Sequence, residues 1–390
     1  MRKRLLIVQP NLNPPGGCCG VSAWGIEALK SEYELSILTW KPVNLQAINR
    51  FYGTDLSPDE LRIYCFPSVI RSFYTLDPDT DSIQPLALMM RIGKLMRKRF
   101  DATISFCDEI DLGEPVIQYI HFPYMIPRLM AFRSCDGSPQ PWKRIWKFNL
   151  RPWRMISGFD FDRMRRNITL VNSDWTGQVA HTAYEMPTTT VYPPVTGRYT
   201  QVNWPERENG FVCIGRLSGE KRLEQIIEIL DGVRNRGYDI HLHIIGTISF
   251  ENRGDSYYLK ITKLISEQSS WIIFNENLSR EELLNVVARH KYGIHGMKNE
   301  HFGMAVAEMT LGGCVVFVPN SGGQAEIVQN DPRLLYDSID EAIEKITWVL
   351  DDKKTQLELQ AKLHAHAHSF REDRFMRQIQ EIVSQHIQTI

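Results

Sequence analysis

Two carboxylates bracket an apolar run in "KNEHFGMAVAEM" (298–309): Glu300 stands before it and Glu308 within it. Well upstream, "GRLSGEKRLEQ" (215–225) sets Arg216 and Lys221 among small residues. Carboxylates of this kind accept hydrogen bonds from hydroxyl-rich ligands. Arg and Lys beside uncovered backbone N–H groups suit a phosphate-type anion. Two glycine-rich turns complete the set. Gly16, Gly17 and Gly20 lie in "NLNPPGGCCGVSAWGIEALK" (11–30), and Gly322 and Gly323 in "SGGQAEIV" (321–328). Without Cβ atoms, such turns bend tightly and let a ligand approach the backbone. Each feature also has a plain structural explanation. The glycines can serve turns alone, Arg216 and Lys221 can be solvated surface charges, and either glutamate can sit in a salt bridge. His121, in "YIHFPY" (119–124), is by itself an ordinary strand-end histidine.

The elements that would position these groups can be read locally. The helix after "YGIHG" (292–296) is expected to begin near Phe302–Gly303, with Gly303 leaving its first turn uncovered. Met304, Ala305, Val306, Ala307, Met309 and Leu311 are apolar nearly all round, which predicts a buried helix. Glu308 is then expected about two turns in, where a carboxylate needs a partner: a ligand hydroxyl or a neighbouring arginine. In 215–225, Ser218 or Gly219 is expected to cap a helix carrying Lys221 and Arg222 in its first turn. Cations there oppose the helix dipole, which favours anions by roughly 0.3–1 kcal/mol, so a bound diphosphate would rationalise them.

Across the second half, short apolar runs at 211–215, 240–246, 271–274, 292–296 and 314–319 alternate with helical patterns. Leu223, Ile226, Ile227, Leu230 and Val233 illustrate the helical spacing. That alternation predicts a parallel sheet covered by helices on both faces. The first half gives strand candidates at 4–9, 33–40, 61–66, 101–106, 116–121 and 167–172. A Pro-containing stretch without either period, 192–210, separates the halves. Two doubly wound α/β domains joined near residue 195 are expected, with a final amphipathic helix beyond Ser369. In such sheets ligands bind beyond the carboxyl ends of the strands, and the residues named above follow those ends.

Bulk properties exclude other classes. The chain has 390 residues, 43% hydrophobic and 23% charged, as in soluble globular proteins. A net charge of −1 offers no field that would gather nucleic acid. The apolar start of "MRKRLLIVQPN" (1–11) is short and runs into Pro10, predicting a buried first strand rather than a signal segment. Seven cysteines without repeated spacing point to a reducing, cytoplasmic setting. The first glycine loop is neither GxGxxG nor a P-loop. One stretch, 142–167, interleaves Trp142, Trp146, Phe148 and Trp153 with eight basic and two acidic residues. It fits a peripheral contact with an anionic membrane face, or a helix with an aromatic core face and a charged outer one.

Taken together, these segments resemble glycosyltransferase family 4, the retaining enzymes of GT-B fold. The glycine loop, "GRLSGEKR", Glu300 and Glu308 around "EHFG", and "GGQAEIV" occur in the family's order. The resemblance implies two Rossmann-like domains facing across a cleft: 1–195 on the acceptor side, 196–368 for the nucleotide sugar, and a helix, 369–390, returning to the first. It implies catalytic roles for Glu300, His121, Arg216 and Lys221. Arg216 and Lys221 would hold the donor diphosphate, and Glu300 would lie beside the donor sugar with His301, Phe302, Gly303 and Met304. Glu308 would take the ribose hydroxyls, Leu278 would border the base, and Gly16 and Gly17 would meet the phosphates. No metal and no other cofactor is implied, because charge on the leaving diphosphate is met by Arg216, Lys221 and a helix N-terminus. The partners implied are a nucleotide-sugar donor and a saccharide or lipid-linked acceptor. UDP-hexose, such as UDP-glucose, is expected first and GDP-mannose second. However, "HGMKN" (295–299), where many members have Pro-Ser, is nearer to the mannosyltransferases of lipid-linked oligosaccharide assembly. The alternatives are a GT-B protein that binds nucleotide sugar without transferring it, and a GT-B phosphorylase or epimerase.

Overall fold

The structure is a computed structural model, and it describes residues 2–74, 83–123, 125, 153–246 and 256–389. It divides into two units: Met1–Pro194 together with Arg371–Ile390, and Val195–Phe370.

The first unit is built on seven parallel strands: β1 (Arg4–Val8), β2 (Glu34–Thr39), β3 (Leu61–Cys65), β4 (Ala102–Ser105), β5 (Ile117–Ile120), β6 (Ile168–Val171) and β7 (Thr189–Thr190). Their order is β3-β2-β1-β4-β5-β6-β7, which reverses direction at β1 as a doubly wound sheet does. The pleat sends alternate residues to opposite faces. Thus Leu5 and Ile7 of β1 enter one core, and Leu6 and Val8 the other. The helix Gly17–Leu29 lies against the first core and must approach closely: a Cβ on Gly25 would sit 2.3 Å from the Phe106 ring. The last helix, Glu372–Thr389, returns to this unit and buries Phe375, Ile379 and Val383 in the same core. Gln380 Nε2 donates to the Ala28 carbonyl at 2.7 Å.

The second unit has six parallel strands: β8 (Glu208–Ile214), β9 (His241–Gly246), β10 (Ile272–Glu276), β11 (His290–Ile294), β12 (Val315–Pro319) and β13 (Leu335–Tyr336). Their order is β10-β9-β8-β11-β12-β13, again reversing at the first strand. All the longer strands fall where the apolar runs predict them. The two-residue strands β7 and β13 carry too little pattern to be seen in the sequence.

Residues 142–152 of the basic–aromatic stretch lie outside the described residues. Within its described remainder, Trp153 packs against the second core of the first unit, together with Phe159 and Phe161. Arg154 lies over the Phe161 ring at 5.1 Å, and Arg163 donates to Asp111 at 2.8 Å. In this remainder the aromatic rings face the core; Trp142, Trp146 and Phe148 are among the residues outside the description. No helix among the described residues is long and apolar enough to cross a membrane.

Candidate functional site

The carboxyl ends of β8 and β11 are neighbours, and the segments leaving them carry the two charged motifs. A short 3-10 turn, Gly219–Lys221, follows β8; Arg222 then adopts a left-handed conformation (φ 51°) and starts the helix Leu223–Asn235. Lys221 and Arg222 therefore precede the helix instead of occupying its first turn, and Ser218 makes no side-chain cap. Tyr257 Oη accepts from the Leu223 N–H at 3.2 Å in its place. The turn brings Lys221 back over the sheet edge.

There Lys221 Nζ meets Glu300 Oε2 at 2.6 Å, with both side chains less than a fifth exposed. Burial pushes the Glu300 carboxyl up, but Lys221 and His295 outweigh it and hold the group down at about 2. Glu300 is thus a fixed carboxylate. His295 Nε2 lies 3.5 Å from the same oxygen. Burial, and then Lys221, push the His295 imidazole down to about 4, so it is neutral. Gln324 decides its tautomer. The Gln324 amide N–H groups point at the carbonyls of Met297 (2.8 Å) and Ser321 (3.0 Å), which leaves Oε1 to accept from His295 Nδ1 at 2.8 Å. The His295 proton is on Nδ1, and Nε2 presents a lone pair beside Glu300.

Backbone geometry holds Glu300 in place. The Glu300 carbonyl accepts from Gly323 N–H at 2.8 Å, and a Cβ on Gly322 (φ +79°) would lie 2.3 Å from that carbonyl oxygen. Gly303, also left-handed (φ 108°), opens the helix Met304–Leu311 with no side-chain cap hydrogen bond among the described residues. Here the helix starts where the sequence predicts. Glu308, however, is its fifth residue, little more than one turn in, not two. Glu308 Oε1 accepts from Arg280 Nη1 at 2.6 Å, so a neighbouring arginine does partner this carboxylate. The Glu308 carbonyl accepts from Tyr199 Oη at 2.7 Å.

The other expected residues divide. Arg216 is largely exposed and pairs with Glu220 at 3.0 Å; no contact among the described residues joins it to Lys221 or Glu300. Its long side chain follows the nearest surface carboxylate, which spacing in sequence does not foretell. Phe302 is buried, with its ring 5.5 Å from Phe370, so only its backbone can serve a ligand. His301 and Met304 are half-buried beside it. Leu278 lines a groove of about 540 Å³ with Thr200, Asn275 and Asn285.

In the first unit, Gly16 caps the helix Gly17–Leu29 and Gly17 is exposed. His121 follows β5. Asp108, left-handed at φ 67°, accepts from the His121 and Phe122 N–H groups at 2.6 and 3.1 Å. His121 Nε2 lies 3.0 Å from the Phe106 carbonyl, which can only accept, so the proton is on Nε2. Burial lowers its affinity for a second proton. Nearby, Glu109 is fully buried, held by Tyr184 Oη and by the Met125 N–H, with burial raising its carboxyl.

His295, Gln324, Arg280 and Glu109 are absent from the sequence expectations. His295 is visible in "YGIHG" but reads as a strand residue. The other three gain meaning only from the partners the fold brings to them.

Residues 199–367 match the family described as Glycosyl transferases group 1. The chain is similar to the "GDP-Man:Man(3)GlcNAc(2)-PP-Dol alpha-1,2-mannosyltransferase" of Candida glabrata, 23% identical over 229 residues, covering 54% of this chain and 44% of the relative. The protein of that name from Dictyostelium discoideum is 24% identical over 297 residues, covering 68% and 58%. The chain thus spans about half the length of the curated relatives it matches. Among solved structures, Anabaena Alr3699/HepE in complex with UDP and glucose superposes with a TM-score of 0.66 at 14% identity, covering 98% of this chain and all of that one. Residues 199–367 are thus similar to the glycosyl transferases group 1, and the fold of the chain is GT-B.

Proposed function

We propose that the chain is a retaining mannosyltransferase of the family 4 type, transferring mannose from GDP-mannose to a lipid-linked oligosaccharide. The observation that carries the reaction class is the Lys221–Glu300 pair at the carboxyl edge of β8 and β11, beside the open first turn of Met304–Leu311. Breaking the donor's glycosidic bond places negative charge on the departing diphosphate. Lys221 and the uncovered N–H groups of that helix answer this charge without rearranging. Arg216 joins them by leaving Glu220. No metal is required in this scheme. Glu300, held ionised, accepts from donor-sugar hydroxyls, and the His295 Nε2 lone pair offers a second acceptor. A carboxylate this acidic and already bound to Lys221 is a poor nucleophile and no proton donor. The leaving phosphate therefore takes the acceptor hydroxyl's proton.

Glu308 Oε2, on the oxygen opposite Arg280, receives the ribose hydroxyls, and the groove beside Leu278 receives the base. The names of the relatives support GDP-mannose ahead of UDP-glucose, the reverse of the order expected from sequence. They also favour a lipid-linked acceptor over a free saccharide. Seven cysteines without repeated spacing support a reducing, cytoplasmic setting. Contact with a membrane, if the acceptor demands it, falls to residues other than Trp153, Phe159 and Phe161, whose rings face the core.

The test is nucleoside diphosphate release from GDP-mannose and UDP-glucose with a dolichol-type acceptor, with and without EDTA, and with Glu300→Ala as control. GDP release that survives EDTA and disappears in the variant, with an α-linked product by NMR, is expected. Release from UDP-glucose alone would overturn the donor assignment. An inverted product would overturn the retaining one.

A further inference from the structure

At the amino edge of the second sheet, opposite the end that carries Lys221 and Glu300, four side chains converge from three adjacent strands. Glu208 opens β8, His241 opens β9, His290 opens β11, and His243 follows two residues along β9. One ligand-type atom from each lies within 4.8 Å of all the others. His241 Nε2 is 3.0 Å from His290 Nε2. Glu208 Oε2 is 3.2 Å from the first and 3.6 Å from the second. A tetrahedral Zn²⁺ with ligands at about 2.0–2.1 Å separates them by about 3.3 Å. The three measured edges bracket that value.

The outer contacts are those of ligating imidazoles. His290 Nδ1 donates to the Val286 carbonyl at 2.6 Å, which turns the Nε2 lone pair inward. His243 Nδ1 is 3.2 Å from Asn275 Oδ1. Arg289 faces the other Glu208 oxygen at 3.9 Å, leaving Oε2 to the cluster. Position 210 is adapted to the arrangement as well, since a Cβ there would sit 2.2 Å from His241 Nε2.

We propose that Glu208, His241, His243 and His290 form a structural site for a divalent transition metal, Zn²⁺ foremost, that ties β8, β9 and β11 together. Four protein ligands leave no open position, and the site sits at the far end of the strands from the transfer chemistry. It is therefore independent of the donor reading.

The probe is Co²⁺ added to the reduced, metal-free chain, followed by Zn²⁺ competition. One equivalent is expected to give the visible d–d bands of tetrahedral cobalt, without the near-ultraviolet sulfur charge transfer that cysteine ligation would add. Zn²⁺ should displace it and raise the melting temperature. His241→Gln/His243→Gln should abolish both effects. If that variant does not fold, Glu208→Gln, a substitution at an exposed position, should weaken Zn²⁺ binding at least tenfold while melting like the metal-free parent. Absence of the bands at one equivalent, bands unchanged in the folded histidine variant, or unaltered affinity in Glu208→Gln would each overturn the assignment.

Discussion

Lys221 Nζ and Glu300 Oε2 lie 2.6 Å apart although 79 positions separate the residues in sequence. Each is the other's means of being buried: a lone carboxylate or ammonium with so little exposure would be strongly penalised. The same pair presents positive charge to a leaving diphosphate and a fixed carboxylate to a sugar.

Removing the cation should therefore be felt in both activity and stability. Lys221→Met is expected to lower kcat by about 10²–10³-fold, the usual effect of deleting one charge-stabilising group. It should also destabilise the fold by about 2–4 kcal/mol, because Glu300 is stranded. Adding Glu300→Gln should restore much of that stability and none of the activity. Initial rates of diphosphate release and urea melts of the parent and the two variants check this. A single variant as active as the parent would dismiss the diphosphate assignment.

The pair also sets an acid dependence. The Glu300 carboxyl is held at about 2, below its ordinary 4.5. Its contribution is present above pH 4.5 and is lost as pH falls toward 2. His295, buried neutral at about 4 against an ordinary 6.5, acts in a higher window. There the unfolded chain binds the proton first, so stability is lost as pH falls from 6.5 toward 4. The gap in unfolding free energy between wild type and Glu300→Gln should hold down to pH 4.5 and narrow below it. His295→Asn should flatten the slope between 6.5 and 4. Melts in urea across pH 3–7.5 measure both, and parallel curves for all three proteins would contradict the environment assigned to the pair.

Gly322 is predicted to be irreplaceable for steric reasons. Gly322→Ala places a methyl 2.3 Å from the Glu300 carbonyl oxygen in a left-handed conformation. Gly237→Ala, at φ +97° with nothing within 4 Å of the new Cβ, bears the backbone strain alone. The control should cost about 1–2 kcal/mol and leave kcat intact. Gly322→Ala should cost more and lower kcat as the Glu300 loop shifts. Equal behaviour of the two would show that the close approach is unimportant.

Glu308 and Arg280 divide a different labour. With Oε1 taken by Arg280, Glu308→Gln should raise the donor KM about 10–100-fold, the range of a lost hydrogen bond to a charged group, with kcat changed only a few-fold. Arg280→Met should act in the same direction through the displaced carboxylate. Steady-state kinetics on GDP-mannose and on the free sugar phosphate separate the two: only the nucleotide-bearing donor should respond. A KM untouched by Glu308→Gln would leave that residue a purely structural ion-pair partner.

Much of this molecule is written locally. Strands at 4–9 or 240–246 follow from apolar runs, the helix at 304–311 from its composition, and its uncovered start at Gly303 from the residue type itself, because backbone preference and burial pattern act over a few neighbours. Glu300 and Lys221 were legible as charges beside small residues at strand ends. Whom each charge meets was not. Arg216 turned to Glu220 at the surface, Glu308 to Arg280, and Lys221 left its expected helical turn because Arg222 took a left-handed conformation. The histidines at 241, 243 and 290 look unrelated in sequence. They converge because β9, β8 and β11 are adjacent in the sheet, and parallel pairing in this register stacks the starts of the strands side by side. Likewise, the last helix announces its amphipathic face, but only packing against the first core decides what covers it. Sequence by itself determined the elements and the chemical vocabulary of this protein. The pairings were decided by tertiary structure, since a contact between residues far apart in the chain depends on strand order and register that no local preference encodes.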